Sequence, residues 1–77
     1  ALADNEHKRL LEIYPGLEKL SRRELEVFAH LLTDKTQAQI AEELFITHSS
    51  VHFHCKNIYR KLGIKSRKQL LIRYKEL

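Results

Sequence analysis

The fold of this chain is decided by the segment TQAQIAEELFITHSSVHFHCKNIYRKLG, residues 36 to 63. Two parts of it, residues 37–44 and 48–62, have the apolar spacing of amphipathic helices, and each follows a threonine that can cap a helix N-terminus. Only residues 45–47 connect the two helices, so they cannot lie antiparallel in full contact and must cross steeply. Two short helices joined by such a turn are typical of a helix-turn-helix motif, whose second helix enters the major groove of DNA.

Capping signals along the chain mark where the helices begin. Ser21, Thr36 and Ser66 are each followed three residues later by Glu or Gln, which completes a capping box. Thr47 lacks that reciprocal partner, but its hydroxyl can still cap backbone donors. These signals and the apolar periods predict helices at about residues 4–14, 22–32, 37–44, 48–62 and 67–76.

Helix stop signals complete the prediction of the fold. Gly63 ends the longest helix, and Pro15 with Gly16 separates the first helix from the rest. No strand pattern competes with the helical one. We therefore predict an all-α fold, in which a compact four-helix helix-turn-helix domain at residues 17–77 follows a short linker helix and turn at residues 1–16.

The turn between the two central helices departs from the usual pattern. Such a turn usually contains a glycine, which accepts a left-handed backbone conformation without steric cost. Phe45 occupies this region here. We therefore expect burial of the Phe45 ring, rather than a left-handed residue, to hold the turn.

Charge is distributed unevenly along the chain. Up to residue 38 there are six basic and seven acidic residues, whereas residues 44–75 contain eight basic residues and no acidic one. His48, His52 and His54 lie in the same stretch and add positive charge when they are protonated. A cationic stretch of this length favours a phosphate backbone, and so a nucleic acid, as the partner.

Length and composition exclude several classes of protein. A chain of 77 residues has room for one domain and favours local packing over a deep substrate cavity, so we predict no enzyme and no cofactor. The single cysteine, Cys55, cannot form an intramolecular disulfide, which indicates a reducing, cytoplasmic location. Apolar runs such as residues 70–72 are far shorter than a membrane span, and no secretory signal opens the chain. The sequence contains no methionine, so we expect it to be a piece of a longer polypeptide.

The helix predicted at residues 48–62 has two distinct faces. The apolar seam that we expect to face the core consists of Val51, Cys55, Ile58 and Leu62. The opposite face carries hydrogen-bonding groups and one aromatic ring, on Ser49, His52, Phe53, Lys56 and Arg60. Such groups can reach base edges or phosphates, and an aromatic ring can pack on a thymine methyl group. We predict that this face contacts DNA.

Phosphate contacts are expected from helix N-termini and from the basic segment that follows. The free backbone N–H groups at a helix N-terminus bind anions. The candidates at the two central helices are Thr36, Gln37, Ser49 and Ser50. Further phosphate contacts are expected from a mostly cationic track, which consists of Asn57, Arg60, Lys61, Lys65, Arg67 and Lys68.

Three runs of this sequence, LSRRELEVFAHLL, TQAQIAEELFIT and SSVHFHCKNIYRKLGIKSRKQLL, together resemble the LuxR/NarL/GerE-type helix-turn-helix of bacterial transcription regulators. The resemblance covers about residues 20–71. It implies the DNA-binding output domain of a regulator such as a response regulator, normally placed after a sensory or receiver domain. The base-reading positions that it implies are His52, Phe53 and Lys56, and the backbone contacts are Thr36, Ser50, Asn57 and the basic exit segment.

The resemblance also implies the partners. The last helix of such a domain usually helps to form a dimer on a two-fold DNA site. Our candidate for that contact is Ile72, which lies off the apolar stripe formed by Leu70, Leu71, Tyr74 and Leu77. The expected partners are double-stranded DNA, a second copy of the chain and RNA polymerase, and not a membrane. His52 and Phe53 stand where the family often has a lysine and a small aliphatic residue, so the target sequence cannot be taken from a relative.

Three alternative hypotheses start from the same residues. A promoter-reading domain of a sigma factor has a similar pair of central helices and would bind DNA as part of RNA polymerase holoenzyme. A helical protein-interaction module would use exposed apolar residues such as Ile72. His48, His52 and Cys55 have a spacing that can place three metal ligands along one edge of a helix, although no fourth ligand is evident.

Overall fold

A computed structural model describes residues 4–74, which fold into helices without a strand in this range. The α-helices are α1 (Asp4–Ile13), α2 (Arg22–Leu31), α3 (Gln37–Leu44), α4 (His48–Leu62) and α5 (Arg67–Tyr74), and a 3₁₀ helix spans Pro15–Lys19. The predicted all-α class, with four helices behind a short N-terminal one, is confirmed. The sequence pattern does not predict the 3₁₀ helix, and the predicted end of the last helix at residue 76 lies outside the described residues. No helix within residues 4–74 is long and apolar enough to cross a membrane.

Two complete capping boxes begin α2 and α3. At α2, the Ser21 hydroxyl accepts from the Glu24 N–H at 3.2 Å, and the Glu24 carboxylate accepts from the Ser21 N–H at 2.8 Å. At α3, Thr36 and Gln39 make the same pair of bonds at 3.2 and 2.9 Å. A cap of this kind stabilises a helix by about 1 kcal/mol, so these two starts are fixed by local sequence.

The other two predicted caps differ in detail. The Thr47 hydroxyl accepts from the Ser50 N–H at 3.0 Å, as expected for a cap without a reciprocal partner. The Ser66 hydroxyl accepts from the Gln69 N–H at 3.3 Å, but the Gln69 side chain accepts from the Lys65 N–H instead of the Ser66 N–H. The predicted box at Ser66 is therefore only half formed.

The core lies where α2 and α3 pack against α4. The predicted seam of α4 is confirmed, since Val51, Cys55 and Ile58 are buried and Leu62 packs against the core while partly exposed. The fully buried side chains of the other elements include Leu17, Leu25, Val27, Phe28, Leu31, Ile40 and Leu70. This arrangement leaves the opposite face of α4 free to contact a partner.

The N-terminal helix and the residue that follows it pack on the same core, in part through edge-to-face aromatic contacts. Tyr74 of α5 makes edge-to-face contacts with Phe28 of α2 and with Tyr14, at centroid distances of 5.1 and 4.7 Å. Leu10 of α1 is also buried in the core. The division into a linker segment, residues 1–16, and a DNA-binding domain remains a prediction.

The expectation for the turn between α3 and α4 is wrong. Phe45 has a left-handed backbone with φ of 57°, and its side chain is 94% exposed. The turn closes because the Ile46 N–H donates to the Ala41 carbonyl at 3.1 Å, an arrangement that needs a left-handed residue immediately before Ile46. Ile46, rather than Phe45, packs against the core, since the left-handed conformation directs the Phe45 side chain into solvent.

We expect Phe45→Gly to stabilise the domain by about 0.5 to 1 kcal/mol. Glycine removes the steric cost of a positive φ, which outweighs the larger conformational entropy that glycine gives the unfolded chain. Urea denaturation of the variant and the parent measures the change in the free energy of unfolding. Gly63, which ends α4 with φ of 70°, is the matched control, because Gly63→Ala should destabilise by about 1 kcal/mol. A stability loss in Phe45→Gly would contradict the assigned strain.

Candidate nucleic-acid interface

The face of α4 opposite the buried seam is open to solvent. Every side chain predicted there is exposed, namely those of Ser49, His52, Phe53, Lys56 and Arg60. Phe53 is 62% exposed, which excludes a core role for its ring. One helix therefore presents an aromatic ring, an imidazole and two cationic groups on a single surface. Such a combination suits the edges of bases and the phosphates beside them.

The ring of Phe53 has one aromatic neighbour. The His54 imidazole lies edge-on to it at a centroid distance of 5.8 Å. His54 itself is half-buried, in agreement with its place beside the apolar seam. Phe53 is therefore supported on one side while the rest of its ring faces outward.

The two central helix N-termini place their polar groups differently. Thr36 and Ser49 are exposed, and the Thr36 hydroxyl is used by the cap of α3. The Gln37 amide donates to the Cys55 Sγ at 3.8 Å, and the Ser50 hydroxyl accepts from the Thr47 hydroxyl at 3.0 Å. The half-buried side chains of Ser50 and Gln37 are thus hydrogen-bonded to neighbouring residues. Of the four, Thr36 and Ser49 are the more accessible to solvent.

The predicted cationic track divides into two groups. Lys65 and Lys68 are exposed, and the Arg60 guanidinium donates to the Asn57 carbonyl oxygen at 3.2 Å on the surface of α4. The remaining two cations, Lys61 and Arg67, form bonds inside the protein. Sequence reasoning missed those bonds because their partners lie more than thirty residues away along the chain.

Lys61 links the end of α4 to the beginning of α2. Its ammonium lies 2.7 Å from the Glu24 carboxylate, which is almost fully buried. Burial alone would raise the pKa of Glu24, but the Lys61 ammonium and the Ser21 N–H outweigh it and hold the pKa below its usual value. Glu24 therefore stays ionised, and one carboxylate both caps α2 and anchors the last turn of α4.

Arg67 joins α5 to the C-terminal end of α2. Its guanidinium donates to the carbonyls of Leu31 at 3.1 Å, His30 at 3.5 Å and Thr33 at 2.5 Å. Carbonyls at a helix C-terminus have no helical partner, so a guanidinium is a suitable cap for them. The main role of Arg67 that the structure supports is to hold two helices together.

The candidate dimer contact lies on the outer side of α5. Ile72 is 63% exposed, while Leu70 and Tyr74 of the same helix are buried and Leu71 is partly buried. Leu77, which the sequence places on the same stripe as Leu70, lies outside the described residues.

The described residues do not form a metal cluster around Cys55. In the range 4–74, no three His, Cys, Asp or Glu side chains are grouped as metal ligands. Cys55 is buried, and burial raises the pKa of its thiol. Burial also raises the pKa of its neighbour Tyr59 to about 12. The spacing of His48, His52 and Cys55 therefore does not translate into a ligand set, and the thiol is not activated for nucleophilic chemistry.

Comparison with known proteins places residues 18–74 in a single family. They match the model described as "Bacterial regulatory proteins, luxR family". The chain is 47% identical over 53 residues to the spore germination protein GerE of Bacillus subtilis, an alignment that covers 69% of this chain and 72% of that protein. No solved structure matches the chain.

Two longer relatives contain a similar segment. The transcriptional regulatory protein LiaR of Bacillus subtilis is 42% identical over 55 residues, which are 71% of this chain and 26% of LiaR. The oxygen regulatory protein NreC of Staphylococcus aureus is 38% identical over 52 residues, 68% of this chain and 24% of NreC. The chain thus corresponds to about a quarter of these two relatives.

Proposed function

This chain belongs to the luxR family of bacterial regulatory proteins, and from that membership we propose that it reads specific sites in double-stranded DNA through α4. Its helix-turn-helix is a DNA-binding output domain of the kind found in transcription regulators. The family membership favours this function over the alternative of a promoter-reading domain of a sigma factor. We place α4 in the major groove, where a recognition helix of this motif lies.

The observation that carries the proposal is the division of α4 into a buried seam and an exposed polar and aromatic face. The seam fixes the helix on α2 and α3, so the exposed face is held in one orientation. We assign base reading to His52, Phe53 and Lys56. Lysine can bond to guanine edges, histidine can donate to or accept from a base, and the Phe53 ring can pack on a thymine methyl group.

Phosphate contacts complete the proposed interface. The residues assigned to the DNA backbone are Thr36, Gln37, Ser49, Ser50, Asn57, Arg60, Lys61, Lys65, Arg67 and Lys68. Within this set we rest the proposal on the accessible groups, above all Lys65 and Lys68, because Lys61 and Arg67 have partners inside the protein. Attraction between these cations and the phosphates supplies most of the affinity, and the base-reading residues supply the discrimination.

The proposal extends to the assembly in which the domain acts. We propose that two copies pair on DNA through Ile72 of α5, and that the chain acts in the bacterial cytoplasm as the C-terminal part of a longer regulator. The exposed apolar side chain of Ile72 supports the pairing, and the lengths of LiaR and NreC support the longer chain. A contact with RNA polymerase would let the DNA-bound domain affect transcription.

Fluorescence anisotropy with a random-sequence duplex at several salt concentrations tests the function. We expect log affinity to fall linearly with log salt concentration, with a slope of about 0.9 for each phosphate contacted. A folded sample that fails to bind at low salt would overturn DNA binding and favour the alternative of a protein-interaction module. A positive result justifies the selection of a preferred sequence from a randomised duplex pool.

Two exposed lysines should respond differently to replacement by alanine. Lys56→Ala should lower the affinity for the selected site by about 1 to 3 kcal/mol and relax the preference at one base position. Lys65→Ala should weaken binding to all sequences equally and reduce the salt slope by about one phosphate. The measurement is anisotropy with the selected site and with single-base variants of it. Because both changes remove one exposed positive charge, equal effects on every duplex would refute the division of roles.

A further inference from the structure

The C-terminal end of α3 combines features that are each locally unfavourable. Phe45, which ends this helix, has a φ of 57°, a conformation that favours glycine. The turn itself accounts for the left-handed backbone, but the Phe45 side chain is 94% exposed, so no contact of its ring within the described structure explains why a phenylalanine stands there. A strained, exposed aromatic residue is a sign of function when nothing in the fold requires that side chain.

The charges around Phe45 are also placed against local preference. Glu42 and Glu43 lie in the last turn of α3, where the helix dipole favours cations, and no basic residue is present in that turn. They are the only acidic residues between positions 35 and 75. Glu43 forms an ion pair with Lys35 at 2.5 Å and lies 3.3 Å from the His30 Nδ1. Glu42 is exposed, so its carboxylate adds to the negative end of the helix dipole beside Phe45.

This combination does not suit a nucleic acid. A phosphate backbone would be repelled by Glu42 and by the carbonyl end of α3. The groups assigned to phosphate on this helix, such as Thr36, lie at its opposite end, about 12 Å away along the helix axis. An apolar side chain next to negative charge instead matches a protein surface that offers an apolar socket and positive charge.

We propose that Phe45 and Glu42, together called the α3 tip, dock a protein partner that presents an apolar socket rimmed by lysine or arginine side chains. The aromatic ring would fill the socket, and the Glu42 carboxylate would pair with the basic rim. Aromatic anchors that insert into a pocket carry much of the affinity of protein interfaces. The α3 tip contains none of the residues that we assign to DNA on α4, so we expect the two partners to bind at the same time.

Selection of a phage-displayed random peptide library on the folded domain tests this docking surface. We expect selected peptides that combine apolar side chains with lysine or arginine. Their affinity, measured with synthetic peptides by anisotropy, should fall about tenfold or more in Phe45→Ala, in Phe45→Gly and in Glu42→Lys. Phe45→Ala removes the ring and keeps a side chain at the strained position, whereas Phe45→Gly also relieves the strain. A loss common to both is therefore due to the ring and not to unfolding.

Phe53→Ala is the matched control, since it removes the other highly exposed phenylalanine from the DNA-reading face. It should leave the peptide affinity unchanged, and a saturating random duplex should not displace the peptides. DNA binding of the Phe45 variants should equal that of the parent, so this result separates the α3 tip from the proposed DNA function. Peptides that survive loss of the Phe45 ring, peptides displaced by DNA, or a selection that yields no basic apolar peptides would each overturn the proposal. Self-association that depends on Phe45, measured by sedimentation velocity, would overturn it in favour of a second copy of the chain as the occupant.

Discussion

Phe28→Ala should lower the free energy of unfolding by about 3 to 5 kcal/mol, which is the range for the loss of a fully buried aromatic ring. Phe28 has no exposed surface, and its ring contacts Tyr74 of α5 edge-to-face. A domain of this size has a total stability of only about 4 to 11 kcal/mol, so the variant should be largely unfolded under mild heating or low urea. Urea denaturation followed by circular dichroism measures the change.

The control for this experiment is a large apolar residue that is not in the core. Ile72→Ala removes a smaller amount of hydrocarbon, but from the exposed side of α5, and should change the stability of the monomer by no more than about 0.5 kcal/mol. A cost below about 1 kcal/mol for Phe28→Ala would mean that the ring does not occupy the core position described above.

Arg67→Ala should destabilise the domain by about 3 kcal/mol. Hydrogen bonds from a charged donor contribute about 1.5 to 3 kcal/mol each, and the guanidinium makes three of them to carbonyls at the end of α2. The guanidinium is partly exposed to solvent, so the three hydrogen bonds together contribute less than the sum of their separate energies. Thermal unfolding of the variant measures the loss, and Lys68→Ala, which removes a neighbouring exposed cation, should leave the stability nearly unchanged.

The same variant separates two roles that the sequence alone leaves combined. If Arg67 serves the fold, the salt slope of DNA binding by the folded fraction stays that of the parent. A slope smaller by about one phosphate, together with unchanged stability, would instead make Arg67 a backbone contact and contradict the structural role.

The features that could be predicted from the sequence are those fixed by neighbouring residues. Helix starts at Ser21, Thr36 and Thr47 depend on a side chain and a backbone N–H three residues away, so the pattern is local. The buried seam of α4 also follows from the period of a single helix, and its exposed side follows from the same geometry. This explains why the helix bounds and the proposed base-reading face could be predicted without a structure.

The features that could not be predicted depend on contacts between distant elements or on a choice between two close alternatives. The partners of Lys61 and Arg67 are brought near only when α2 packs against α4 and α5, so both residues resemble free surface cations in the sequence. At the turn, either Phe45 or Ile46 could have been buried. In the structure the Ile46 N–H donates to the Ala41 carbonyl, and it is Ile46 that packs against the core. This arrangement places Phe45 in the left-handed conformation, which is sterically unfavourable for phenylalanine and which residue preferences therefore argue against.

The edge-to-face contacts of Tyr74 with Tyr14 and Phe28 imply that a shortened chain would be less soluble. A cut at Pro15 would remove Leu10 and Tyr14 and leave one edge of the Tyr74 ring facing water. The newly exposed aromatic surface would promote aggregation, so the trimmed fragment should precipitate at lower concentrations than the parent. Retaining the first helix is therefore the safer choice for concentrated samples, such as those needed for crystallisation or magnetic resonance.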